Sequence, residues 1–294
     1  MLTTAAAALH SQSYDSGLME RLLFRVARKW VAGYSSADAI KAALDANRRG
    51  LSAILNFLGE YVADKGQVEA TVEEYLSLMD MMRDKNVRGC ASVKPTQLGL
   101  AVDYEMCLQN FRRLAARAHD LGQFLWIDME SVKFTEDTIT LYLELQKENP
   151  EIGIAVQASL KRSGADVLHI IEHGSKVRLV KGAYHELEEH AFASREEVDK
   201  NFLHLLKMLA GSGNFFAVAT HDSKLIDEAM KMGGKCEFQL LMGIRDELKS
   251  QLVASKMAVA EYIPYGGQWL PYSMRRIKER KRNLLLLARS LIQQ

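Results

Sequence analysis

The chain reads as a (β/α)8 barrel of the TIM type preceded by a helical extension. Three observations predict it. Short apolar, β-rich runs alternate with amphipathic or charged runs from residue 51 onward. Eight such pairs in a chain of 294 residues match a barrel, which typically takes about 250 residues. Runs such as Phe124–Met129 and Ile152–Ala158 are apolar throughout, as expected of parallel strands buried on both faces. The rival, a doubly wound open sheet, would want an early Gly-x-Gly-x-x-Gly turn, and the sequence has none.

Residues 1–48 read as helices packed on the barrel. Leu18, Leu22, Val26 and Trp30 recur at i, i+4 spacing, and Ser36 with Asp38 marks a helix start before Ala39–Arg48. The catalytic barrel is expected over 49–294. Its strands are expected near 51–57, 87–93, 123–129, 152–158, 176–181, 214–220, 235–241 and 259–264. Between them, helices are expected at 67–85, 103–120, 135–148, 162–172, 194–210, 222–232 and 244–256, and 270–291 closes the chain.

A net charge of +1 gives no case for nucleic-acid binding. Cys90, Cys107 and Cys236 are odd in number and widely spaced, which predicts reduced thiols and neither a disulfide framework nor a metal site. The stretch 4–9, apolar after Thr4, is too short, and lacks the basic flank, for a secretory signal. No run approaches a membrane span, and Leu284–Leu287 reads as core packing. The expected location is the cytoplasm.

The segment from Glu261 to Glu279 is a strand end, the Gly266-Gly267 turn and a helix carrying Tyr272, Arg275, Arg276 and Glu279 on one stripe. Pro271 suits a first helical turn. Two guanidiniums near a helix N-terminus make a receptor for a carboxylate or phosphate. The plain alternative is a solvated arginine pair.

In such a barrel the chemistry sits at the C-terminal strand ends. Those ends carry Glu60, then Ser92 and Lys94, then Asp128 and Glu130, then Gln157, then Arg178 to Tyr184, then Thr220, His221 and Asp222, then Glu237, Gln239 and Leu241, then Tyr262. Singly, each has a plain role: Ser92, Asp128 or Asp222 as a helix cap, His221 as a structural histidine, Lys94 or Lys181 as a solvated lysine. Together they predict one polar site.

The chain resembles the proline dehydrogenase family over roughly residues 50–292. The resemblance rests on Leu58-Gly59-Glu60, Ser92-Val93-Lys94, Ile127-Asp128, Val156-Gln157-Ala158, Arg178 to Tyr184, Ala219 to Asp222, Glu237-Phe238-Gln239 and the Tyr-x-x-Arg-Arg-x-x-Glu helix from Tyr272 to Glu279. It implies FAD-dependent oxidation of L-proline to Δ1-pyrroline-5-carboxylate by hydride transfer to flavin N5. Electrons then pass to a quinone, which implies contact with the inner face of a membrane. Gln157, Arg178, Lys181, Gly182, Ala183, Tyr184, Thr220, His221, Gln239 and Glu279 would hold the cofactor. Lys94, Asp128, Tyr262, Tyr272, Arg275, Arg276 and Leu241 would line the proline site. Glu60 would pair with Arg275 as a gate, and Tyr262 would favour proline over hydroxyproline. The family often carries a bulkier residue where Ser159 stands and a leucine where Pro95 stands.

Two other classes compete: a Schiff-base lyase using Lys94 or Lys181, and a flavin-binding regulator without turnover. Arg276→Ala is expected to weaken proline binding by about 2–5 kcal/mol if the guanidinium grips a desolvated carboxylate. Steady-state kinetics check this, and an unchanged KM removes Arg276 from the site.

Overall fold

The computed structural model describes residues 24–233 and 236–274. Eight parallel strands close into a barrel in sequence order. They are β1 (Ser52–Phe57), β2 (Gly89–Val93), β3 (Leu125–Ile127), β4 (Ile152–Gln157), β5 (Lys176–Val180), β6 (Phe216–Ala219), β7 (Cys236–Leu241) and β8 (Ala258–Tyr265). β1 pairs with β8 to close the ring. The expected strands are all present. The third is shorter than expected, because its ladder to β2 spans only Leu125 to Ile127.

Helix α1 (Ser36–Arg48) precedes the barrel, and α2 (Lys65–Asp84), α3 (Tyr104–Asp120), α4 (Thr135–Glu148), α5 (Ser163–Glu172), α6 (Arg195–Ser212), α7 (Ser223–Met232) and α8 (Asp246–Ala254) follow successive strands. Their starts are set by local chemistry. Asp64, Asp103 and Ser194 accept hydrogen bonds from the backbone N–H groups of Gln67, Met106 and Glu197, satisfying donors the helices leave open. Ser35, one residue before the expected cap, closes a capping box with Asp38. Two 3-10 turns, Pro95–Leu98 and Val132–Phe134, were not expected. Pro95 opens the first, its fixed φ suiting that position and leaving Lys94 extended.

Alternation along the strands divides the core. Outward residues such as Leu55, Val93, Ile127, Ile154, Leu179, Val218, Leu240 and Ile263 pack under the helices. Ile54, Cys90, Trp126, Ala217 and Ala260 form a separate cluster inside the barrel. Cys90 and Cys107 are free and buried, and burial pushes the Cys90 thiol up to about 12. No helix among the described residues is long and apolar enough to cross a membrane.

α1 lays Ala39, Ile40, Ala43 and Ala46 into the main core over β1 and β8. The segment before it straps the end of β8: Ala32 N–H donates to the Pro264 carbonyl at 2.9 Å and Gly266 N–H to the Gly33 carbonyl at 2.9 Å. Gly266 has φ +118°, and a Cβ there would lie 2.9 Å from the Phe57 ring, so the turn needs glycine. Residues 269–274 are helical, with Trp269 and Tyr272 packed on Trp30, Val31 and Leu58. The rest of the expected closing helix, and residues 1–23, lie outside the described residues.

β8 is also held from its outer face by buried charge. Lys249 Nζ donates to Glu261 Oε1 at 2.5 Å and to Asp246 Oδ1 at 2.7 Å, and Arg49 Nη2 reaches Glu261 Oε2 at 2.5 Å. Lys249 is 1% exposed and Glu261 2%. Removing one partner of such a pair leaves a buried charge poorly compensated, so Lys249→Met is expected to destabilise the fold by about 3 kcal/mol. Urea unfolding checks this; an unchanged midpoint would mean that Arg49 alone neutralises Glu261.

Candidate active site

Arg178 is the centre of the barrel mouth. It projects inward from β5 and is 3% exposed, so its permanent charge needs partners from the surrounding strands. Nη1 donates to Asp128 Oδ1 at 2.6 Å and to Ser92 Oγ at 2.9 Å, and Nε donates to Gln239 Oε1 at 2.5 Å. Ser92 Oγ itself donates to Asp128 Oδ1 at 2.7 Å. The guanidinium carbon lies 4.5 Å from the Trp126 ring centroid and 5.6 Å from that of Tyr262, an arrangement that adds cation–π attraction. Residues of β2, β3, β5, β7 and β8 therefore meet on one cation.

The second Asp128 oxygen, Oδ2, accepts from Tyr262 OH at 2.8 Å. Burial, then the neighbouring Asp128 charge, raises the Tyr262 pKa well above its ordinary value. The phenol therefore keeps its proton and acts as a donor. Lys94 Nζ lies 4.0 Å from Asp128 Oδ2 and 3.5 Å from Asn56 Oδ1. Lys94, Asp128, Arg178, Gln239 and Tyr262 are thus brought together. Among the described residues, Arg178 Nη2 is buried without a hydrogen-bond partner. A fixed cationic donor suits an electron-rich heteroatom of a flavin or a carboxylate oxygen, and this donor set fits the implied cofactor.

A second group of expected residues follows β4 to β7. Gln157 Nε2 donates to the Glu130 carbonyl at 2.7 Å. Lys181 Nζ is held between Asp199 and Asp222. Thr220 Oγ1 accepts from Asp222 N–H at 3.2 Å. His221 Nε2 accepts from Leu241 N–H at 3.0 Å, which in the neutral ring puts the proton on Nδ1. Gly182 has φ +112°, and a Cβ there would lie 2.0 Å from Ser159 Oγ. Ser159 packs against this backbone, with its N–H donating to the Lys181 carbonyl at 2.8 Å. Ala183 is exposed, while Tyr184, Leu241 and Glu60 are half-buried. Tyr272 lies in the cluster with Trp30 and Trp269. Arg275, Arg276 and Glu279 lie outside the described residues.

The plain roles weighed for three residues divide. Asp222 does cap α7, accepting from Lys224 N–H at 3.1 Å. Ser92 and Asp128 instead serve Arg178. Of four further site residues, Glu130 and Glu237 were named from sequence as members of the strand-end set but given no role, and Asn56 and Trp126 were not named. Asn56 joins β1 to the Ser92 carbonyl at 2.9 Å. Trp126 lies under the guanidinium. Glu130 accepts from Thr96 N–H at 2.8 Å and from Thr96 Oγ1 at 2.6 Å, with its pKa raised by burial against those bonds. Glu237 Oε1 accepts from Gln239 Nε2 at 2.8 Å. The available signal was two-residue spacing: Trp126 from Asp128, Glu130 from Asp128, and Glu237 from Gln239.

Burial works against the Asp222 charge, but the bonds from Lys181, then Arg195 and the Lys224 N–H, hold its pKa down to about 2. A carboxylate depressed in the folded state stabilises the protein above its unfolded value, about 3.9, and loses that contribution as pH falls towards the folded one. Asp222→Asn is therefore expected to lower stability at neutral pH and to flatten its fall between about pH 4 and pH 2. Thermal melts across that range check this; parallel curves for both proteins would refute it.

A sequence profile described as Proline dehydrogenase matches residues 39–288. Proline dehydrogenase 1 of Bacillus subtilis strain 168 is 33% identical over 273 residues, covering 90% of this chain and 90% of that protein. Proline dehydrogenase of Deinococcus radiodurans is 30% identical over 287 residues, covering 94% of this chain and 93% of that protein. The crystal structure of proline utilization A from Bdellovibrio bacteriovorus, inactivated by N-propargylglycine, is similar in fold. Its TM-score is 0.82 at 21% identity, and the match covers 88% of this chain but only 33% of that larger protein. With a family profile spanning most of the sequence and relatives matched nearly end to end, the chain belongs to the proline dehydrogenase family.

Proposed function

We propose that this protein oxidises L-proline to Δ1-pyrroline-5-carboxylate with FAD as cofactor, as the first step of proline catabolism. The observation that carries the reading is Arg178: a buried guanidinium, fixed by Asp128, Ser92 and Gln239, with Nη2 unpartnered among the described residues. A rigid cation at a barrel mouth is a receptor for an anionic or electron-rich group. Bound FAD supplies a two-electron acceptor that the twenty side chains lack. Gln157, Arg178, Lys181, Gly182, Ala183, Tyr184, Thr220, His221, Gln239 and Glu279 are proposed to hold it.

The substrate side follows from the same chemistry. Proline carries one carboxylate, suited to a bidentate grip by Arg275 and Arg276, and an apolar ring, suited to Leu241, Tyr262 and Tyr272. Asp128 holds the Tyr262 hydroxyl and the Arg178 guanidinium in one frame, which fixes the orientation of the phenol ring. Lys94 stands beside Asp128, and the two are proposed to influence the loss of the proton from the substrate nitrogen. Glu60 is proposed to close on Arg275. Electrons are proposed to leave to a quinone at the inner face of a membrane, with the protein cytoplasmic. Residues 1–48 are proposed as a helical extension to a catalytic barrel over 49–294.

The lysine-based alternative is weakened at one position. Lys181 Nζ is already engaged by two carboxylates, Asp199 and Asp222, and so is not free to attack a carbonyl.

The deciding experiment is the visible spectrum of the purified protein, followed by anaerobic proline. Flavin bands that bleach with proline and not with other amino acids are expected. Flavin that ignores proline would redirect the substrate. A protein that binds no flavin and stays inactive after added FAD would overturn the reading.

A further inference from the structure

Arg178 has one partner whose own orientation must be fixed. A glutamine amide carries an acceptor at one end and a donor at the other, and it can turn over. Arg178 Nε is only a donor, so Gln239 must present Oε1 to it, as it does at 2.5 Å. That leaves the Gln239 NH2 group inside the barrel, where Gln239 is 4% exposed. Glu237, two residues earlier on β7 and on the same inward face, takes it: Gln239 Nε2 donates to Glu237 Oε1 at 2.8 Å. The neighbours in register with Glu237 are Ala217 on β6 and Ala258 on β8. These methyl side chains offer no competing hydrogen bond.

We infer that Glu237 is a positioning residue, which locks the Gln239 amide and through it the angle at which Arg178 presents its remaining donor. Asp128 and Ser92 both bind Nη1, at one end of the guanidinium. A planar group held only there can pivot. The Gln239 bond at Nε supplies the second fixed point, and Glu237 makes that point rigid. Without an acceptor at 237 the Gln239 NH2 is buried unpaired, which favours turning the amide off Arg178.

The test compares Glu237→Leu and Glu237→Gln in the full chain, with two readouts. The first is the tryptophan emission of cofactor-free protein. It senses the guanidinium 4.5 Å from the Trp126 ring, and Trp126→Phe assigns that part of the signal. The second is FAD affinity by titration of the same protein, which rests on the flavin reading above.

Glu237→Leu is expected to change the Trp126 emission and to weaken FAD binding by about ten-fold, the lower end of the loss at metal sites when a ligand's hydrogen-bond partner is removed. Glu237→Gln keeps an oxygen for the Gln239 NH2 and is expected to recover most of both. If Glu237→Leu matches the wild type in both, or Glu237→Gln is as defective as Glu237→Leu, the positioning role is overturned. A wild type that binds no FAD would defeat the flavin reading instead, and the Trp126 emission would still decide the role of Glu237. Should Glu237→Leu fail to fold, Glu237→Met, unbranched and closer in shape, takes its place.

Discussion

The interior of this barrel is organised around one buried guanidinium. Arg178 cannot shed its charge, so the fold must supply an anion, further acceptors and room for a long side chain to cross the mouth. The strand register provides the room. Ala155 on β4 and Ala217 on β6 stand directly beside Arg178 in the sheet. Gly153 stands beside Trp126, and a Cβ there would lie 2.4 Å from the indole. Small residues thus flank two large inward groups. A one-residue slip of β5 would turn Arg178 towards the helices, away from its acid.

The strand bearing Tyr262 is fixed from both faces. Inside, Tyr262 is bonded to Asp128. Outside, the adjacent Glu261 is tied to Lys249 of α8 and to Arg49 just past α1. Because neighbouring residues on a strand face opposite ways, the buried ion pair and the site phenol restrain one stretch of backbone from opposite sides. The strap at Ala32 and Gly33 bonds to that strand's end. The helical extension therefore helps set the rim of the mouth as well as covering the barrel.

Much of this was legible in the sequence, for a physical reason. Charged and amide residues at the ends of apolar runs stand out, and the barrel rule places them at one mouth. Asp128, Arg178, Gln239 and Tyr262 were found that way and do converge. Residues deeper in the strands were harder to read. Parallel strands are buried on both faces, so the inward set is not separated from the outward set by polarity. Trp126 reads as core and Asn56 as an isolated break in an apolar run. Ser92 reads equally as a cap, because one hydroxyl suits either task. The pairing of Glu237 with Gln239 required knowing which amide end faced Arg178, and composition does not carry that.

The charge states bear on how such a site works. Arg178 is a permanent cation, and Tyr262 is held protonated by burial and by Asp128. Both are donors, and Asp128 is already engaged by both. Three groups bound to one another in this way form a rigid electrostatic frame and leave little capacity to cycle protons. On the proposed reading that suits a reaction in which hydride leaves carbon for a cofactor and the protein chiefly orients the reactants. On that reading the proton of the substrate nitrogen goes to a group outside this frame. Lys94 Nζ, 4.0 Å from Asp128 Oδ2 and 3.5 Å from Asn56 Oδ1, stands at the edge of that frame.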